Sequence, residues 1–307
     1  MSNNSILLLN SASLLAELQD TYAIHSREES GDGYVVFQAE DFQIRYYSHN
    51  QNGFSPDVNG GGNDYRCYVI DENYENLRGW ADTPYKTIWV NRDNNLPPCK
   101  LPSHDFELNG LDQLEKVFED GRIPALSQCL AWWNEWDLPE NVRRHVTTVA
   151  WAAYTLAIML RAKGIEADPV LTHRGGLLHD LDKIRTLKMV TGHGKVSGSF
   201  LAEKGYDEVA EIVREHIMHT ILDPTADDRP WEVKLVYFSD KLAEGDRIVT
   251  LDERFTALGE RYPAYMQKMS EAKIHVWGLN NEICALLDIH DNDHLVSILN
   301  TILEKVS

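Results

Sequence analysis

Cysteine is scarce in this 307-residue chain: there are four (Cys67, Cys99, Cys129 and Cys284), far apart and with no CxxC pair. That excludes a disulfide framework and a structural zinc knuckle, and leaves ordinary reduced thiols. Positive charge is also short. Twenty-nine Lys and Arg stand against 48 Asp and Glu, a formal net charge of −19, which repels phosphate backbones and anionic lipid at long range. Stable nucleic-acid binding is not expected. Long apolar runs are missing too. The longest, such as Ile6-Leu7-Leu8-Leu9, fall far short of a bilayer span, and no basic residue precedes that run as a signal peptide would require. A cytoplasmic protein with no membrane partner is the expectation. Neither an internal repeat nor a low-complexity segment is visible.

The remaining composition is that of a folded protein. Hydrophobic residues make up 43% and charged residues 25%, which argues against disorder. At a prior of roughly 150 residues per domain, the length predicts two domains, each with its own core. Composition changes near residue 125. Before it, short β-rich runs at Tyr34–Phe37, Ile44–Tyr47, Tyr65–Ile70 and Tyr85–Val90 alternate with helical stretches at Ser13–Leu18, Glu75–Asp82 and Leu111–Glu119. Turn formers such as Asp32-Gly33 and Gly60-Gly61-Gly62 separate them, which predicts an α/β domain over 1–125. The Asn- and Gly-rich loop Gln51–Asn63 is its expected mobile stretch. After residue 125, apolar residues recur at helical spacing from Val142 to Lys163. Further helices are predicted at Pro169–Asp182, Lys195–Lys204, Asp207–His219 and Trp231–Ala243, with a pair in the last forty residues, so 126–307 reads as almost all helix.

Histidine carries the functional signal. Six of the twelve (His145, His173, His179, His193, His216 and His219) fall in one quarter of the chain, and neutral imidazole is a common metal ligand. Leu177-Leu178-His179-Asp180 ends an apolar helix with two residues that both coordinate divalent first-row metals. Helical neighbours point about 100° apart, so both reach one ion only if it sits near the helix end. A lone His-Asp pair more often lies on a solvated face. Here, however, Arg143-Arg144-His145-Val146 opens a long amphipathic helix upstream. Ser239-Asp240-Lys241 ends another downstream, where a buried carboxylate needs a cation.

The order His, His-Asp, Asp, each in a helix, resembles the HD superfamily of metal-dependent phosphohydrolases. The likeness runs over about residues 126–255 and includes Leu138-Pro139 to His145, Gly176 to Lys183, Gly205 to His216 and Val236 to Leu251. It implies an all-α HD-type domain in which His145, His179, Asp180 and Asp240 hold a first metal. His193 and His216 would hold a second, with Asp180 bridging; standing alone, they read as a turn residue and a helix-end cap. Lys183 matches the family's phosphate-contacting lysine, or is a helix-end lysine favoured by the dipole. Asp182 protonates the leaving group or caps the helix. Arg143, Arg144 and Lys195 add local positive charge for an anionic substrate. His219, three residues after His216 and so on the same helical face, contacts substrate or lies on the surface. His173 falls on a different face from His179 and reads as structural, and Arg247 and Glu253-Arg254 read as helix-packing ion pairs. The implied cofactor is one or two divalent ions (Mn, Fe, Co, Ni or Mg). The implied partner is a small phosphorylated or nucleotide-like substrate, a phosphoester or phosphoanhydride hydrolysed by metal-activated water. Two alternatives share these positions: a mixed-valent di-iron oxygenase, and a non-catalytic metal- or nucleotide-binding sensor.

The first domain resembles, in degenerate form, a Rossmann-like haloacid-dehalogenase domain. Ile6–Asn10 matches its first strand, Ser48 its second motif, and Asp71-Glu72 with Thr87–Asn91 its last part. Asn10 stands where that family keeps its nucleophilic aspartate and Ala12 where it keeps its acid/base, so phospho-enzyme chemistry is absent. A pseudo-dehalogenase domain that covers the helical domain or mediates a homodimer is the implied role.

Overall fold

A computed structural model describes residues 5–24, 27–29, 34–39, 42–47, 66–81, 83–114, 117, 123–186 and 192–306. Ser48, Asp32-Gly33, Gly60-Gly61-Gly62 and the loop Gln51–Asn63 lie outside them. The chain divides into two compact units, residues 1–93 with 103–120, and residues 94–102 with 121–307. The excursion of 94–102 into the second unit is something a single boundary at 125 does not anticipate.

The N-terminal unit is an α/β layer with a mostly parallel sheet. Its elements are β1 (Ser5–Leu9), α1 (Ala12–Thr21), β2 (Glu28–Glu29), β3 (Val35–Gln38), β4 (Phe42–Tyr46), β5 (Arg66–Asp71), α2 (Tyr74–Arg78), β6 (Lys86–Val90) and β7 (Phe106–Leu108). The sheet order is β2-β3-β4-β1-β5-β6-β7. Strand β1 lies in its middle, parallel to both neighbours, with Leu7 opposite Ile44 on one side and Tyr68 on the other. That place explains its unbroken apolar run: a central parallel strand is covered on both faces, and all five β1 residues are buried. Strands β3 and β2 extend the sheet antiparallel beyond β4. Helix α1 starts where the Ser11 hydroxyl accepts the Leu14 N–H, and α2 where Asn73 Oδ1 accepts that of Glu75.

Asn10 follows β1 and Asp71 ends the adjacent parallel β5. Open α/β sheets place ligand sites at such strand ends. The Asp71 carboxylate is spent locally, however: Oδ1 accepts from the Asn73 N–H at 2.7 Å and Oδ2 from the Asn76 amide at 3.0 Å.

The second unit is helical: α3 (Leu126–Glu135), α4 (Glu140–Ala162), α5 (Pro169–Leu178), α6 (Lys183–Thr186), α7 (Lys195–Glu203), α8 (Asp207–Glu215), α9 (Trp231–Lys241), a two-stranded ribbon of β8 (Ala243–Glu244) and β9 (Arg247–Ile248), α10 (Leu251–Arg261), α11 (Met266–Leu286) and α12 (Asn292–Lys305). Helix α4 is the central one, apolar on most of its circumference because other helices surround it. A Cβ added to Gly176 of α5 would lie 2.5 Å from the Ala150 Cα of α4, so the two backbones touch where only glycine fits. His145 precedes that contact on α4 and His179 follows it on α5, which puts both at the same end of the helix pair.

Three expected helices end early, the first of them, over 75–82, at Arg78. The predicted helix 169–182 stops at Leu178, and the predicted helix 207–219 stops at Glu215, because Ile217 is extended (ψ 140°) before a 3-10 turn over Met218–Leu222. Among the described residues no helix is long and apolar enough to cross a membrane.

Candidate metal centre

Four helix ends and one loop meet at a buried cluster. His145 comes from the first turns of α4, His179 from the C-cap of α5 and Asp180 from the turn beyond it. His216 is the C-cap of α8 and Asp240 comes from the last turn of α9. His179 keeps helical backbone angles (φ −57°, ψ −36°) at the end of α5, so it and Asp180 meet the cluster at the helix end rather than along its side. His193 enters on the loop before α7. Gly194 carries φ +83°, and a Cβ there would come 2.8 Å from the Val213 carbonyl oxygen and 3.2 Å from His216 Cε1, so glycine lets this loop close on α8.

Backbone carbonyls set the orientation of three imidazoles. Nδ1 lies 2.7 Å from the Gly176 oxygen in His179, 2.6 Å from the Val213 oxygen in His216 and 3.2 Å from the Gly245 oxygen in His145. A nitrogen facing a carbonyl must be its proton-bearing donor, which in His179 and His216 leaves Nε2 a bare acceptor turned to the centre, whereas His145 Nε2 meets the Asp240 carboxylate. Asp180 is the hinge of the arrangement. Its Oδ2 lies 3.6 Å from His179 Nε2 and 3.8 Å from His145 Nε2, and its Oδ1 lies 3.6 Å from His216 Nε2 and 3.5 Å from His193 Nε2. Asp240 Oδ1 closes the first half, 3.1 Å from His145 Nε2 and 3.9 Å from His179 Nε2.

The ligand atoms of His145, His179 and Asp240 lie within 4.8 Å of one another, as do those of His179, Asp180 and His216. Two of these atoms, His179 Nε2 and His216 Nε2, are buried with no hydrogen-bond partner. Leaving a buried acceptor unpaired costs about 1–3 kcal/mol, so the donor set calls for a cation. Its mix of imidazole and carboxylate suits divalent first-row ions, and the residues fit the metal their positions imply.

Electrostatics agree with that use. Burial, against the pull of Asp180, lowers His179 from 6.5 to about 3. Burial together with His216 takes His193 down to about 4, so both rings are neutral ligands at neutral pH. Burial pushes the Asp180 carboxyl up, but Lys183 and the histidines outweigh it and hold the group well below the carboxylate range. Asp240 behaves alike, with Lys241, His145 and Arg254 overcoming burial.

Other residues singled out from the sequence take different places. Lys183 ion-pairs with Asp180 Oδ2 at a partly open position. Asp182 is buried and accepts from the N–H groups of Gly194 and Ser197, both at 2.8 Å, so it caps α7 rather than facing the cluster. Arg143 donates to the Leu138 and Trp133 carbonyls, while exposed Arg144 pairs with Asp246 at 3.5 Å. Lys195 is exposed on the first turn of α7. His219 is exposed, and the extended Ile217 breaks the helical face it was expected to share with His216. Burial, with Lys268 and Lys195 in its field, lowers its pKa. His173 is buried away from the centre, 3.0 Å from the Lys100 carbonyl and 2.7 Å from Arg174. Two neighbours were not assigned to the centre from sequence. Lys241 Nζ lies 2.6 Å from Asp240 Oδ2, and Arg254 reaches Asp240 Oδ1 at 3.4 Å while bonding Glu244. Their signal was a cation next to a buried carboxylate and an arginine a helix later.

The helical unit is an HD domain: the family model of that description matches residues 142–245, and the chain belongs to the HD superfamily. It also shares a family with an uncharacterized protein of Methanocaldococcus jannaschii, MJ0778, 36% identical over 140 residues that span 41% of this chain and 82% of the relative. No solved structure matches.

Proposed function

We propose that the helical unit is a metal-dependent phosphohydrolase with a two-ion centre. His145, His179 and Asp240 would hold one ion, His193 and His216 the other, and Asp180 would bridge. The observation that carries this is the Asp180 carboxylate, whose two oxygens face two different pairs of histidines. When bound, such ions activate a water for attack on phosphorus and polarise a phosphoryl oxygen.

The chain's own residues supply the rest. The carbonyls of Gly176, Val213 and Gly245 fix the tautomers. Lys183, already at the partly open edge beside Asp180, binds a phosphate oxygen there, and Arg144, Lys195 and His219 form an outer rim for an anionic, nucleotide-like substrate. Asp182 positions the His193 loop through its cap of α7. For the N-terminal unit we propose a non-catalytic role, because the carboxamide of Asn10 is a poor nucleophile.

A panel of phosphomonoesters, phosphodiesters and nucleoside triphosphates, run with Mn²⁺ under air and under nitrogen, tests this. Phosphate release independent of oxygen is expected. Turnover only in air would assign a di-iron oxygenase, and metal binding without turnover a sensor.

A further inference from the structure

Lys241 belongs to no ligand set, yet its side chain is buried, 3% exposed, and touches both halves of the centre. Its ammonium donates to Asp240 Oδ2 at 2.6 Å and to the backbone carbonyl of His216 at 3.0 Å. Asp240 faces His145 and His179, whereas His216 faces Asp180 Oδ1. The side chain packs over the Tyr237 ring, 4.5 Å from its centroid, and the Tyr237 hydroxyl donates to the Met218 carbonyl at 2.9 Å. The end of α9 thus grips the chain on both sides of Ile217, just where α8 stops. Neutralising Asp240 does not require that reach, since Arg254 already lies against its Oδ1. What the second hydrogen bond adds is a link between the half-sites.

We propose that Lys241 is a positioning residue that couples the two half-sites. By holding Asp240 Oδ2 it turns Oδ1 toward His145 and His179, and by holding the His216 carbonyl it fixes the helix end from which that ring faces Asp180. The proposal rests on the two-ion reading above.

The test is Mn²⁺ titration of metal-free full-length protein by calorimetry, with metal content checked by mass spectrometry. Lys241→Met removes both contacts and should weaken Mn²⁺ binding by about tenfold or more at both half-sites, the scale on which outer-shell partners act. Lys241→Arg keeps a cationic donor group and should recover part of the loss, binding Mn²⁺ more tightly than Lys241→Met at both half-sites. Repeating the pair in a His193→Ala background isolates the first half-site, and the second follows by difference. Loss at one half-site only, or unchanged affinity in folded Lys241→Met, overturns the coupling. Failure of wild-type protein to take up Mn²⁺ would instead overturn the two-ion reading. Should Lys241→Met not fold, Lys241→Gln, a neutral donor of shorter reach, carries the same expectation and the same refuting outcome.

Discussion

Gly176 and Ala150 meet backbone to backbone, and this contact sets the spacing of the helices that deliver His179 and His145. Gly176→Ala would force a Cβ to 2.5 Å from the Ala150 Cα and should destabilise the protein by about 1–3 kcal/mol through overpacking. Metal affinity should fall with it. Gly278→Ala is the control: this glycine sits within helix α11 with nothing near its missing Cβ, so the change should raise stability by up to about 1 kcal/mol. Denaturant midpoints and Mn²⁺ titrations of both variants check the contrast.

Replacing His193 or His216 with Ala should lower metal content from about two ions to about one per chain while the first half-site stays filled. His179→Ala or Asp180→Ala, which remove a ligand shared by both triads or the bridge itself, should abolish phosphate release. Two ions in the first pair of variants, or wild-type rates in the second, would take these residues off the ligand list.

Asp182 separates a cap from an acid. Asp182→Asn keeps one acceptor for the Gly194 and Ser197 N–H groups and should cost about 1–2 kcal/mol of stability, with an unchanged shape of the pH–rate profile. Disappearance of the limb that requires a protonated acid would show that the residue protonates the leaving group after all.

Acid should destabilise the metal-free protein early. The folded-state pKa of His179 lies at about 3 against 6.5 when unfolded, so the unfolded chain binds the proton first as pH falls. Stability is therefore full above about pH 6.5 and is lost progressively toward pH 3, by about 2 kcal/mol at pH 5 from this residue. His193 acts in the same direction. Urea unfolding at pH 7.5 and pH 5 measures the difference, and equal stabilities would refute the buried, neutral state of His179.

The helical half of the fold was legible because amphipathic spacing and apolar helix ends are local signals. His179, Asp180 and Asp240 stood out in the same way, each at the end of a hydrophobic run, while His145 opens one and joins them through the resemblance to the HD superfamily. What stayed hidden depends on contacts distant in sequence. The partners of Asp182 lie 12 and 15 residues on, and Lys241 reaches back 25 residues to the His216 carbonyl. Helix ends at Leu178 and Glu215 were missed because helical spacing continues past them, and the C-caps His179 and His216 themselves keep helical backbone angles. In the N-terminal unit five strands were visible, but the short β2 and β7 at the sheet's two edges were not, and the packing of 94–102 with the helical unit has no local signature.

The central claim is that phosphate release depends on two ions bridged by Asp180. Its most direct test is titration of metal-free protein with Mn²⁺ while phosphate release and bound metal are followed together. Release should be nil in the metal-free protein, rise with added ion and saturate near two equivalents per chain. Release by metal-free protein, or full activity at a single equivalent, would contradict it.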